Sequence, residues 1–196
     1  MNLEKTVESL KLRGFKVSCF ESGAEAAEYM VNEISGKTVR IGGSQTALQL
    51  GLYEKLGENN KVYWHWKEPG SETRKSANAA DVYISSANAI SEDGEILSID
   101  GTGNRLAAQV FGHEKVYIVT GTNKICPDFD SALHRARNTA AVKNCGRFNI
   151  STPCKEDGKC HDCRCEDRIC NALLVLWGPM MGMETEVIII NEELGY

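Results

Sequence analysis

The sequence has no hydrophobic run long enough to cross a bilayer. Its longest candidate, Leu173 to Trp177, falls far short of the about eighteen residues a spanning helix needs. It has no excess of positive charge either. Lys and Arg number 22 against 27 Asp and Glu, a formal net charge of -5, which argues against the basic footprint of a general nucleic-acid binder. The first residues, MNLEKTVESLKLRG, read as an amphipathic helix and lack the apolar stretch of a signal peptide, so a cytoplasmic location is expected. There is no Walker A motif, and Gly101-Thr102-Gly103-Asn104-Arg105-Leu106 lacks the third glycine of a dinucleotide fingerprint. No nucleotide cofactor is expected. The four histidines suggest no triad, and no nucleophile elbow surrounds Ser44, Ser85 or Ser86. Internal repeats and low-complexity tracts are missing as well.

What is present is the composition of an ordinary globular chain: 196 residues, 42% hydrophobic and 25% charged. That length suits one domain, 1–196, with a sizeable core. Helix and strand signals alternate. Leu3 to Arg13 reads as a helix stopped at Gly14, and Phe15 to Phe20 as a strand. Ser22 with Glu25 makes a capping box that opens a helix through about Ile34. Thr38 to Ile41 and Lys61 to Trp66 read as strands, and Ser71 with Arg74 and Lys75 as the opening of a polar helix. Asp81 to Ser86, Glu95 to Ile99, Lys115 to Thr120, Leu173 to Trp177 and Glu186 to Ile190 complete the strands. Asp128 to about Lys143 is helical, with an alanine-rich apolar stripe. Strands of nearly continuous hydrophobicity, alternating with helices, predict an α/β fold with a mostly parallel sheet covered on both faces.

Three turns share one format of strand, small polar residues with glycine, then helix. They are Gly42-Gly43-Ser44-Gln45-Thr46, Asp100-Gly101-Thr102-Gly103-Asn104 and Gly121-Thr122-Asn123-Lys124. Loops at the carboxyl ends of strands build the ligand crevice of an open α/β sheet. A small anionic metabolite is therefore expected there. Candidate ligand-binding residues are Gly42, Gly43, Ser44, Thr46, Ser86, Asn88, Gly101, Thr102, Gly103, Asn104, Arg105, Gly121, Asn123 and Lys124. Asp100 and Glu95 are the candidate catalytic carboxylates, with capping as the rival role for Asp100. The central loop, running onto a helix start at Arg105, reads as an anion cradle, with Gly103 allowing close backbone approach.

Eight cysteines are many, and six of them lie between Cys145 and Cys170. The spacing Cys154-x5-Cys160-x2-Cys163-x6-Cys170 offers four thiols in 17 residues. The segment 144–170 is polar and aperiodic, so it reads as an insertion in the domain. Such a loop buries too little to order itself, and a metal on Cys154, Cys160, Cys163 and Cys170 would supply the missing energy. Zinc and a [4Fe-4S] cluster both suit four thiolates, and the spacing does not choose between them.

Ala80 to Ile90, Asp93-Gly94-Glu95-Ile96 and Asp100 to Arg105 together resemble the signature of the LUD (lactate-utilisation) domain family. Gly42-Gly43-Ser44-x-Thr46, Gly121 to Ile125 and the Thr152-Pro153-Cys154 to Asn171 run agree with it. The resemblance implies a three-layer α/β/α Rossmann-like fold, in the superfamily of ribose-5-phosphate isomerase, glucosamine-6-phosphate deaminase and CoA transferases. Isomerases of that superfamily carry acidic residues where this chain has Ser85, Ser86 and Asn88, which argues against sugar-phosphate isomerisation. Family membership further implies a role in lactate utilisation beside iron-sulfur subunits of a lactate-oxidising system. The expectation is thus a protein that binds a small carboxylate or phosphorylated metabolite in its glycine-loop crevice. Two rivals stay open: a stand-alone enzyme of isomerase or transferase type, and a non-catalytic docking module for an iron-sulfur electron-transfer partner. A homo-oligomer is compatible with each.

Overall fold

The computed structural model describes residues 1–70, 73 and 77–196. The polar helix expected from Ser71, Arg74 and Lys75 lies outside the described residues. In chain order the elements begin α1 (Leu3–Leu12), β1 (Lys16–Phe20), α2 (Gly23–Glu33), β2 (Thr38–Ile41), α3 (Gln45–Gln49), α4 (Leu52–Gly57) and β3 (Lys61–Tyr63). They continue with β4 (Val82–Ser85), β5 (Ala89–Ser91), β6 (Ile96–Asp100), α5 (Asn104–Val110), β7 (Lys115–Gly121) and β8 (Ile125–Cys126). Last come α6 (Phe129–Arg135), a π-helical turn (Ala136–Ala140), α7 (Ala141–Cys145), α8 (Pro153–Asp157), β9 (Ala172–Leu176) and β10 (Glu184–Ile190).

Local signals set several boundaries as the sequence implies. Gly14 takes φ +91 just past α1, a conformation that costs a glycine least. Ser22 and Glu25 close a complete capping box on α2.

Six strands form an all-parallel sheet in the order β1-β10-β7-β4-β2-β3. The central strands β10, β7 and β4 each feed two hydrophobic clusters, because successive side chains point to opposite faces. Tyr117, Val119, Ile188 and Ile190 join Val82 and Ile84 against α2, α3 and α4. Val116, Ile118, Val187, Ile189 and Tyr83 face the other way, against Leu10 of α1 and Ala108 of α5. This two-sided burial is why the strands read as unbroken apolar runs.

A smaller mixed sheet, β8-β5-β6-β9, lies beside the large one. β6 runs antiparallel to both β5 and β9, and β5 pairs in parallel with β8. The sequence does not announce it, since β5 and β8 span three and two residues and show no period. The Leu173 to Trp177 run belongs to this sheet, as β9. The strand expected over Lys61 to Trp66 stops at Tyr63; Trp64 then turns inward, 1% exposed. The helix expected from Asp128 is interrupted by the π turn over Ala136–Ala140. Between 146 and 171 only Thr152 is buried, so the cysteine loop has almost no hydrophobic hold on the domain.

The sheet also buries one carboxylate. Glu186 of β10 is fully buried and lies 2.8 Å from Lys115 Nζ and 3.1 Å from Lys16 Nζ. Ser18 Oγ and Tyr29 Oη donate to it at 2.7 and 2.8 Å. Burial alone would raise its pKa, but these four donors hold it below the usual carboxylate range. Glu186→Gln removes the buried counter-ion that Lys115 and Lys16 share, leaving them only the more exposed Glu184 and Glu33, and should cost roughly 3 kcal/mol at neutral pH. Because the folded-state pKa is depressed, the stabilisation is complete above the unfolded-chain value and is lost as pH falls through the folded one. Urea unfolding of both proteins should therefore show the gap closing in acid; a gap independent of pH would refute the assignment.

Candidate functional site

Strands β2, β4 and β7 are neighbours and parallel, so their carboxyl ends emerge at one edge of the sheet. The loops that leave them, together with the loop after β6, surround a cavity of about 290 Å3. Of the residues named from sequence, Gly43, Ser44, Thr46, Ser86, Asn88, Asp100, Gly101, Thr102, Asn104, Arg105 and Lys124 line it. Gly42, Gly103, Gly121, Asn123 and Glu95 do not.

Lys124 closes the turn after β7 and is 2% exposed. Its Nζ donates to Ser86 Oγ at 2.9 Å and to Thr46 Oγ1 at 3.1 Å. Burial, with the positive charges of Arg135 and Arg105 adding to it, pushes its pKa down to about 7. Arg105 donates to the Ser86 carbonyl at 2.9 Å, to Asn88 Oδ1 at 3.0 Å and to the Ile99 carbonyl. Arg135 donates to the carbonyl oxygens of Asn123, at 3.0 Å, and Asn88, and to a main-chain oxygen of Tyr196 at 3.2 Å. Among the described residues no Asp or Glu side chain forms an ion pair with Lys124, Arg105, Arg135 or Arg147. The site is a concentration of positive charge in an acidic protein.

Asp100 is the one acidic residue among the described residues that line the cavity, and its oxygens are turned into its own loop. Oδ1 accepts from the Gly101 and Thr102 amides at 2.7 and 3.3 Å, and Oδ2 from the Arg105 amide at 2.9 Å. The anion at this cradle is thus supplied by the chain itself, and the capping role prevails. Gly103 serves the turn through its backbone, at φ +79, and a Cβ there would meet nothing within 4 Å, so close approach is not its function. Close approach belongs instead to Gly101, where a Cβ would lie 2.8 Å from the Ile169 carbonyl oxygen. Gly42 and Gly121 are packed in the same way, against Tyr83 Oη and the Glu192 carbonyl, each 2.3 Å from a would-be Cβ.

Glu95 lies at the far end of β6 from Asp100. Five residues of strand separate them by roughly 16 Å, too far to share a reacting centre. Its carboxylate pairs with Arg13 and accepts from Ser91. Asn123 holds the tail instead: Leu194 N donates to its Oδ1 at 3.2 Å. This brings Gly195, at φ +65, over the amine, where a Cβ would lie 3.0 Å from Lys124 Nζ.

Sequence reasoning passed over the mouth of the cavity. His65, Trp66, Asn144, Arg147, Phe148, Ile169 and Tyr196 line it. The Arg147 guanidinium stands 4.2 Å from the Trp66 ring centre and 5.3 Å from that of Phe148. One of three arginines in a cysteine-rich loop and a Trp past a strand end carry no common signal; only the fold makes them neighbours.

The cysteines pair off differently from their spacing. Among the described residues no three His, Cys, Asp or Glu side chains are gathered as a metal ion requires. Cys154, Cys160, Cys163 and Cys170 are accordingly not drawn into one set. Cys163 and Cys165 sulfurs lie 3.4 Å apart, and Arg137 Nη2 reaches Cys160 Sγ at 3.8 Å. Cys145, a helical residue left out of the expected set, is buried; burial and its neighbour Cys154 push its thiol up to about 12. The donor chemistry fits a thiophilic metal, whereas this arrangement of the loop does not assemble it.

The family model described as the LUD domain matches residues 3–190. A crystal structure of a DUF162 family protein from Deinococcus radiodurans superposes with a TM-score of 0.58 at 14% identity, covering 96% of this chain and 95% of that one. At that identity the likeness speaks for the fold. No curated protein matches the chain.

The lowered pKa of Lys124 has a consequence for stability. Between about pH 7 and the ordinary lysine value the unfolded chain holds one more proton than the folded one, so stability rises with pH across that window. Lys124→Met removes this dependence. Denaturation of both proteins from pH 6 to 10 should show the stability difference changing by about 1.4 kcal/mol per pH unit within the window, with the variant favoured most at the acid end. A constant difference would mean that the amine is charged in the folded state.

Proposed function

The chain belongs to the LUD domain family, and on that premise we propose that its crevice binds a small metabolite bearing a carboxylate or phosphate, in support of lactate utilisation. The observation that carries this reading is the uncompensated charge: Lys124 and Arg105 face a cavity in which, among the described residues, the only acidic side chain, Asp100, is committed to its own loop. A buried cation without a counter-ion is costly unless a ligand supplies one. The cavity's size limits that ligand to a small molecule. Arg147, within reach of the Trp66 and Phe148 rings, adds a further positive group to the cavity lining.

Calorimetric titration with lactate, pyruvate and inorganic phosphate tests this. At least one should bind at pH 6.5, and Lys124→Met should weaken it by on the order of tenfold, as expected for a lost charge-assisted contact. Affinity for an ion held only by charge should fall as pH rises through about 7, where Lys124 loses its proton. No binding by any of the three would overturn the proposal.

We assign the cysteine loop a second role, as the seat of a thiophilic metal, zinc or an iron-sulfur cluster, on Cys154, Cys160, Cys163 and Cys170. Support comes from the single buried residue between 146 and 171, which leaves the loop without the apolar burial that would offset its ordering. A bound metal would supply that hold as a structural cross-link. In protein purified without oxygen, elemental analysis should find about one ion or cluster per chain, and Cys160→Ser should lower its occupancy and expose the loop to protease. Equal metal content and equal digestion in the two proteins would count against the assignment.

A further inference from the structure

We propose that Lys124 is a nucleophile that forms an imine with the carbonyl of a small 2-oxo carboxylate bound in the crevice. The inference rests on the reading of that crevice as an anion site and names the class of ligand it takes.

Four features of the site converge on it. First, among the described residues the amine is held by hydroxyl groups alone, Ser86 Oγ and Thr46 Oγ1. A lysine meant to stay charged is ordinarily faced by a carboxylate, and an amine held by hydroxyls can give up a proton and keep its lone pair. Second, burial and the charges of Arg105 and Arg135 favour the neutral amine near physiological pH, which is the form that attacks a carbonyl. Third, those same charges favour a carboxylate beside the amine, which selects an oxo acid over a simple ketone or aldehyde. Fourth, Gly195 presents only hydrogen to this corner; a single added carbon there would come within 3.0 Å of Nζ and 2.5 Å of Thr46 Oγ1. Gly195 thus closes that side of the amine, and a carbonyl group reaches it from the cavity that Lys124 lines.

The chemistry balances without a redox partner. The Nζ lone pair attacks the carbonyl carbon, a C–N bond forms, and the C=O π pair moves to oxygen. The proton leaving nitrogen passes to Ser86 Oγ, which lies within hydrogen-bond reach, and the carbonyl oxygen is protonated in turn. Loss of that oxygen as water leaves the C=N double bond. One amine and one carbonyl give one imine and one water. On taking a proton from solvent the imine becomes an iminium that withdraws electrons from the neighbouring carbon, while Asp100, its oxygens engaged by loop amides, takes no part.

Reductive trapping tests this on the full-length protein. Pyruvate is the probe, lactate the control that lacks a carbonyl, and acetone the control that lacks a carboxylate, each with sodium cyanoborohydride at pH 8. Intact mass and peptide mapping should find one saturable pyruvate adduct per chain. It should sit at Lys124 in excess over any other lysine by on the order of tenfold, with little from acetone and none from lactate. Trapping should grow from pH 6 to 8, opposite to the trend for an ion held by charge alone. Ser86→Ala, which keeps the amine, should slow it severalfold. If calorimetry shows pyruvate bound while no adduct forms at Lys124, or adducts scatter over surface lysines, the imine is wrong and the anion site survives. If pyruvate, lactate and phosphate all fail to bind, both fall together.

Discussion

Parallel pairing of β2, β4, β7 and β10 is the constraint from which the rest of the molecule follows. Parallel strands carry all their carboxyl ends to one edge, so the turns after Ile41, Ser85 and Gly121 leave the sheet side by side whatever their sequences. The same pairing requires both faces to be covered, which is met by α2, α3 and α4 on one side and α1 and α5 on the other. Because β10 sits between β1 and β7, the segment that follows it, 191–196, is delivered to the loops at that edge. Gly195 thereby reaches Lys124 from the far end of the chain.

Electrostatics divide the molecule into two unlike halves. At the amino-terminal edge, charge is neutralised with care: Glu186 is buried among Lys115, Lys16, Ser18 and Tyr29. At the carboxyl-terminal edge, Lys124 and Arg105 are buried or half-buried and satisfied by neutral oxygens. Hydrogen bonds to carbonyl and hydroxyl groups hold a cation in place without cancelling its charge. The field that results is available to a ligand.

The cysteine loop is tied to this site by its end rather than by its thiols. Asn171 N donates to the Asp100 carbonyl at 3.0 Å, and Asn171 Nδ2 to that of Gly101 at 3.1 Å. Ile169 lies against Gly101 and reaches the cavity wall. Whatever orders the loop therefore bears on one wall of the crevice, through a contact that only glycine at 101 permits.

The sequence by itself determined the fold class and the floor of the site, because both are encoded locally. Continuous apolar runs such as Val116 to Val119 declare a strand buried on both faces, and the small polar turns after them mark the crevice edge. Lys124, Ser86 and Arg105 were legible for that reason. The tertiary structure alone decided what these groups do. It turned Asp100 from a candidate acid into the anion of its own loop. It set Glu95 at the opposite end of the strand that Asp100 ends, a separation already implied by strand rise once β6 is accepted. It also brought Trp66, Arg147 and Phe148 to one cavity and Gly195 against the lysine that lines it, from three segments whose composition shares no pattern. Spacing along the chain spoke for four thiols, yet folding set Cys145 beside Cys154 and Cys160 beside Arg137. Periodicity reports which face of an element is buried; it says nothing of which side chains from distant elements will meet, since that depends on how the elements are stacked.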